Sequence, residues 1–203
     1  FDATQTASLQ LPILRRRVRP PLTRSAFLPR SLTGIRTVDG SRMRLLIDLQ
    51  GAQSSNALRG IGRYSVGLVS GILRNRGEDD VHLLLNTSFP QRAAELRAAF
   101  EPILPANHVH VFASAVSPTS NDDEWCRAAS FAARELAISE VGADVLLVTS
   151  HFEGFHDGAV TSPTSGIRQA AVLYDLIPHL FADHYLQDAQ HRAWYGAKLN
   201  ELR

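Results

Sequence analysis

The sequence has one cysteine, Cys126, one methionine, Met43, and one lysine, Lys198. A single thiol excludes a disulfide framework and a structural zinc site built on cysteines, and it fits a reducing cytosol, so a cytoplasmic chain is expected. No apolar run reaches the roughly 18 residues that a bilayer-crossing helix needs. What is there is a globular composition: 44% hydrophobic, 20% charged and 7% aromatic residues. At 203 residues the chain can bury a substantial core as one large domain or two small ones.

The net charge of +1 conceals an asymmetry, since residues 1–43 carry eight Arg against two Asp while the remainder is acidic. Residues 1–42 also hold Pro12, Pro20, Pro21, Pro29 and the run Arg15-Arg16-Arg17-Val18-Arg19, with no sustained period of 2 or 3.6. This stretch reads as an Arg/Pro-rich linker or arm following an upstream domain. A transit peptide or an anion-binding tail has a similar composition. Its arginines alternate with prolines and not with stacking aromatics, so no nucleic-acid partner is expected. Met43 stands directly before the first strong apolar run, which places the folded domain at 43–203.

Arg44-Leu45-Leu46-Ile47-Asp48-Leu49 has the pattern of a buried parallel strand feeding a polar loop. From Gly60 the period becomes helical, with Ile61, Tyr64, Leu68, Val69, Ile72 and Leu73 on one face and a stop at Arg74-Asn75-Arg76-Gly77. The unit recurs as a strand at 81–86, a helix at 90–100 and a strand at 109–112. Asn121, Asp122, Asp123 and Glu124 suit the start of a long helix ending near Gly142, with Trp125, Ala128, Ala132, Leu136 and Ile138 as its inner face. Buried strands are expected at 144–149 and 170–174, and a last helical stretch at 185–202. Alternating strands and helices imply an α/β, Rossmann-like, doubly wound and mostly parallel sheet covered on both faces. Its chemistry belongs in the loops at the carboxyl ends of the strands.

Three loops there carry candidate residues. Gly60-Ile61-Gly62-Arg63-Tyr64 enters the first helix, where backbone N–H groups and the helix dipole could hold a phosphate, with Arg63 as counter-charge. The two glycines could equally serve only a tight turn and close packing. A nicotinamide fingerprint is opposed by Ser65 in place of a third glycine and by Asn86 where an acid would end the second strand. Ser150-His151-Phe152-Glu153-Gly154-Phe155-His156-Asp157 follows the fourth strand, and Glu153 or Asp157 suits a sugar hydroxyl, a catalytic role or plain loop capping. His151 and His156 lack a third ligand at suitable spacing, and no metal is expected. Tyr174-Asp175-Leu176-Ile177-Pro178-His179 ends the fifth strand, with Asp175 placed to orient a ligand and His179 either a ligand contact or a surface residue. His108 and His110, two apart on a strand, share one face and read as cover for the sheet edge. No Gly-x-Ser-x-Gly elbow is present, which argues against a hydrolase.

In this order, the strand at 44–49, the Gly60 to Tyr64 motif, the 150–157 loop and Tyr174-Asp175-Leu176-Ile177-Pro178 resemble the amino-terminal half of retaining glycosyltransferases of family 4, especially bacterial mannosyltransferase-like members. The resemblance covers residues 43–203 and implies one half of a two-domain GT-B architecture. It further implies a nucleotide-diphosphate sugar as donor with no other cofactor, and a glycan or lipid-linked glycan as acceptor. A carboxyl-terminal donor-binding domain and loose association with the inner membrane face belong to the same expectation. On that reading Gly60 and Gly62 approach the donor diphosphate and Asp175 is the catalytic candidate. Tyr64, Glu153, Asp157, Tyr174 and His179 are then the substrate-binding candidates. Many relatives have His-Asp where this chain has Tyr174-Asp175, so an imidazole at that position is missing. The competing expectation is a non-catalytic Rossmann-like module that docks a partner through the Arg-rich arm.

Overall fold

The computed structural model of the chain describes residues 42–115, 124–164 and 166–202. Apart from Arg42, the expected arm at 1–42 lies outside these residues, and so do residues 121–123, the expected cap of the long helix. Among the described residues one sheet is formed by β1 (Arg44–Asp48), β2 (Asp80–Asn86), β3 (Val109–Phe112), β4 (Val145–Val148) and β5 (Arg168–Ala171). Every strand pair is parallel, in the order β3-β2-β1-β4-β5. The connecting helices are α1 (Gly60–Arg74), α2 (Pro90–Phe100) and α3 (Glu124–Val141). After β5 come α4 (Ile177–Leu180), α5 (Ala182–Tyr185) and α6 (Ala189–Asn200).

The period of two along the strands divides the core into two layers. Ile47, Val81, Leu83, Leu85 and Val109 face one way and pack against Val69 and Leu73 of α1 and Leu96 and Phe100 of α2. Leu46, Leu84, Phe112, Leu146 and Val148 face the other way, against Ala137, Ile138 and Val141 of α3. The chain moves outward from β1 to β2 to β3, and α3 then carries it back to β4 on the other side of β1. The loops after β1 and β4 therefore diverge at the carboxyl edge between two adjacent strands, the topological switch point where open α/β sheets form their binding crevice.

Four expectations need correction. α3 does not turn Trp125, Ala128, Ala132 and Leu136 inward; its buried residues are Ser130, Arg134, Ala137, Ile138 and Val141, with Trp125 and Leu136 exposed. Small and apolar residues occur all round this helix, so the buried face is set by Arg134, which has its partner inside. β5 starts at Arg168 and all four of its residues are exposed, because it is the outer strand of the sheet and Tyr174 lies beyond it. Tyr64 is exposed, since the buried line of α1 runs through Gly62, Ser65, Val69 and Leu73. The last helix, expected from 185, starts at Ala189 as α6, because Asp188 caps it: its carboxylate accepts from the His191 backbone N–H at 2.7 Å.

Candidate functional site

The carboxyl end of β1 supplies a charge. Asp48 is fully buried, and burying a carboxylate is costly unless it is paired and hydrogen-bonded. Arg134 Nε, equally buried on α3, donates to Asp48 Oδ2 at 2.8 Å, and the Gln50 backbone and side-chain N–H groups donate at 3.1 and 3.0 Å. Arg134 Nη1 reaches the Ser162 carbonyl at 3.0 Å, tying α3 to the loop after β4.

Side-chain amides extend this network by standing in for backbone. Gln50 brackets Val160, donating to its carbonyl at 2.7 Å and accepting from its N–H at 2.8 Å. Gln53 does the same to Asn86, at 3.0 and 2.8 Å. Asn86 Nδ2 in turn donates to Gln50 Oε1 and to the Gly158 carbonyl. The loops after β1, β2 and β4 are thus joined by buried, satisfied amides, which fixes the floor of the switch-point crevice.

On that floor Glu153 is 3% exposed, accepting from Ser150 Oγ at 2.7 Å and from Asn56 Nδ2 at 3.1 and 3.2 Å. Burial pushes its carboxyl above the usual range, against hydrogen bonds from Ser54, Ser150 and Asn56 that pull it down. Asp157 accepts from the N–H groups of Ser55 and Ala159 at 2.9 and 3.0 Å and so clips two loops together. His151 is buried, with Nε2 donating to the Lys198 carbonyl at 2.8 Å, and burial lowers its basicity. The lone lysine, 5% exposed on α6, directs Nζ to Thr161 Oγ1 and Glu201 at 3.2 Å, and burial lowers its pKa against the pull of Glu201. Glu153, Lys198, Glu201, Trp194 and Arg127 line one cavity of about 710 Å³, a mixture of aromatic surface and hydrogen-bonding groups suited to a polar ligand.

The Gly60 to Tyr64 motif forms the first turn of α1 beside this floor. A Cβ on Gly62 would stand 2.0 Å from the Ala57 carbonyl oxygen, so this glycine permits close packing of the helix on its own entry loop. Gly60 has open space where a Cβ would be, and Arg63 is exposed. The Tyr174 hydroxyl lies 3.0 Å from Ser65 Oγ and within 3.2 Å of the carbonyls of Ile61 and Thr149, and its ring meets Tyr64 edge-on at 5.5 Å. Burial raises the Tyr174 pKa, so it is a neutral hydrogen-bonding strut. Asp175 is exposed and accepts from the Ile177 N–H at 3.0 Å in the turn that enters α4. His179, also exposed, borders a different cavity with Leu186, Arg192 and Tyr195.

The structure therefore brings Tyr64 and Tyr174 together at the amino-terminal turn of α1, and links Glu153 and Asp157 to the loop that enters it. Asp175 lies in the turn before α4, and His179 stands on α4. Sequence reasoning missed Asp48, Arg134, Gln50 and Lys198. An aspartate inside an apolar strand and a sole lysine among twenty arginines were the available signals. Among the described residues, the one group of acids and imidazoles whose ligating atoms converge is Asp80, His82 and His108, at the opposite end of the sheet. His108 lies in the turn before β3 and not on the strand, which corrects its expected placement, while His110 stands on β3, an outer strand; both rings contact His82.

No protein-family model matches the chain, and no solved structure does. Curated sequences do. A serotype-specific mannosyltransferase WbdA of Escherichia coli is 35% identical over 167 residues, 79% of this chain and 20% of the relative. A second WbdA of the same species is 33% identical over 138 residues, and a third 34% over 138 residues, each covering 64% of this chain and 17% of the relative. This chain, which spans about a fifth of the length of these relatives, is homologous over most of its own length to part of the mannosyltransferase WbdA, a glycosyltransferase.

Proposed function

We propose that the chain is the acceptor-side, Rossmann-like domain of a GT-B glycosyltransferase that moves mannose or another hexose from a nucleotide-diphosphate donor to a glycan acceptor in polysaccharide biosynthesis. The observation that carries this reading is the placement of the polar floor and the Gly60 to Tyr64 turn at the β1/β4 switch point, in a chain similar to a mannosyltransferase. The open backbone at Gly60 and the positive end of the α1 dipole would stabilise charge on the departing diphosphate, with Arg63 as mobile counter-charge. Tyr64, Tyr174, Glu153 and Asp157 would shape the acceptor face, and Asp175, exposed in the turn before α4, would exchange its bond to the Ile177 N–H for one that orients the reacting sugar. Donor selection would belong to a second, carboxyl-terminal domain, and residues 1–203 alone would not transfer sugar. A lipid-linked acceptor would bring the protein to the inner membrane face; among the described residues no helix is long and apolar enough to cross a membrane.

The test is transfer of labelled mannose from GDP-mannose to a mannose-terminated oligosaccharide, comparing residues 1–203 with the complete gene product. Transfer by the complete product only is expected. Transfer by residues 1–203 alone contradicts the half-enzyme reading, and transfer by neither contradicts the glycosyltransferase reading.

A further inference from the structure

The amino-terminal end of β2 carries Asp80 and His82 on one strand face, about 20 Å along the strand from the switch point. The parallel register that sets His110 beside Leu84 brings His108 next to His82. His82 Nε2 lies 3.2 Å from Asp80 Oδ1, and His108 Nδ1 lies 3.6 Å from the same oxygen. A tetrahedral ion bound at the usual 2.0–2.1 Å separates its ligand atoms by about 3.3 Å, so these spacings are those of a coordination edge.

Two further facts point to a cation there. Asp80 and His82 are each 8% exposed, and Asp80 Oδ1 and His82 Nε2 meet as an ion pair that falls short of aligned hydrogen-bond geometry, with Arg42 and His108 further out at 3.5 and 3.6 Å from the same oxygen. A cation seated between them would meet both lone pairs directly, a better-aligned partner for each than the other offers. The remaining atoms are already organised. Arg44 Nε holds the other carboxylate oxygen at 2.9 Å, and His110 Nε2 meets His82 Nδ1 at 2.9 Å. With the proton on His82 Nδ1 donated to His110, the Nε2 lone pair is aimed at Asp80, the outer-sphere arrangement typical of a metal-bound imidazole.

We propose that Asp80, His82 and His108 form a binding site for a divalent transition-metal ion, with His110 orienting the His82 ring. Two imidazoles and one carboxylate without a thiolate are a zinc-type donor set, and water completes the fourth position. Binding turns His108 out of its 4.3 Å stack on His82 and replaces its 3.1 Å contact with the Val81 carbonyl. The His108 side chain is 21% exposed and can make that turn. Arg42, 64% exposed at 3.5 Å from Asp80 Oδ1, swings into solvent. The site is independent of the proposed transferase chemistry at the other end of the strands.

The experiment is calorimetric titration of the chelator-stripped chain with zinc chloride at neutral pH, paired with the visible spectrum of the cobalt form. One ion per chain and tetrahedral cobalt bands are expected. His82→Gln and His108→Gln each weaken zinc by more than about 100-fold, and His110→Gln by about tenfold. Asp80→Asn behaves like the ligand variants, and since it also releases Arg44, circular dichroism is recorded beside it; the His108→Gln result stands whether or not that variant folds. The exposed His156 and the half-buried His191, with rings 5.7 Å apart and outside the Asp80 cluster, give the control. Absence of saturable binding in the wild-type chain, binding that survives His82→Gln and His108→Gln, or binding lost in His156→Gln overturns the proposal.

Discussion

Arg134 Nε and Asp48 Oδ2 meet at 2.8 Å with both side chains fully buried, joining α3 to the end of β1 beneath the switch-point crevice. Such a pair sets position more than it adds stability, because desolvation offsets most of the Coulomb attraction. Arg134→Met strands the Asp48 charge and is expected to destabilise the chain by about 3–5 kcal/mol. Adding Asp48→Asn is expected to restore a large part of that loss. Urea denaturation of the two single variants and the double variant measures the coupling, and additive losses would show that the pair does not act as a unit.

The two glycines of the α1 turn should separate cleanly. Gly62→Ala forces a Cβ to 2.0 Å from the Ala57 carbonyl and is expected to cost about 1–3 kcal/mol or more, read from the denaturation midpoint. Gly60→Ala meets open space and is expected to leave stability unchanged or raise it by up to about 1 kcal/mol. In the complete enzyme the same Gly60→Ala change is expected to reduce transfer if the backbone there approaches diphosphate.

Glu153 links stability to pH. Its folded pKa lies above the ordinary 4.5 because of burial, so the unfolded chain ionises first as pH rises. The stability it contributes is fully present below 4.5 and is lost as pH climbs through the folded value. Glu153→Gln removes that loss, so the variant should gain on the wild type between mildly acidic and neutral pH. A difference between the two that is constant with pH would contradict the shifted carboxyl.

Lys198, the sole lysine, is 5% exposed and bonded to Thr161 and Glu201. Reductive methylation of the native chain should modify the terminal amine and spare Lys198, and the same reaction in urea should modify both. Mass spectrometry of the peptide containing Lys198 checks this. Rapid native modification would show that α6 leaves the loop at 161–162 open.

The strands and first two helices were legible because their signals are local. The apolar run at 44–49, the Pro90 start of α2 and the β-branched 109–112 segment each fix an element without reference to the rest of the fold. The site was legible by position, since strand ends could be located, but not by contact. Arg134 carries no local signal because its partner lies 86 residues earlier, and the bonds of Gln50, Gln53 and Asn86 join three separate loops that sequence spacing does not bring together. β5 was misplaced because an outer strand does not need the apolar run that marks a central one.

On the proposed reading the β1/β4 crevice receives a glycan. Amide NMR of the chain titrated with a mannose-terminated oligosaccharide measures it most directly. Weak, saturable shifts are expected at residues 60–64 and at Tyr174; no saturable shift, or shifts confined to the His82 end of the sheet, would place the glycan elsewhere and overturn the acceptor-side reading.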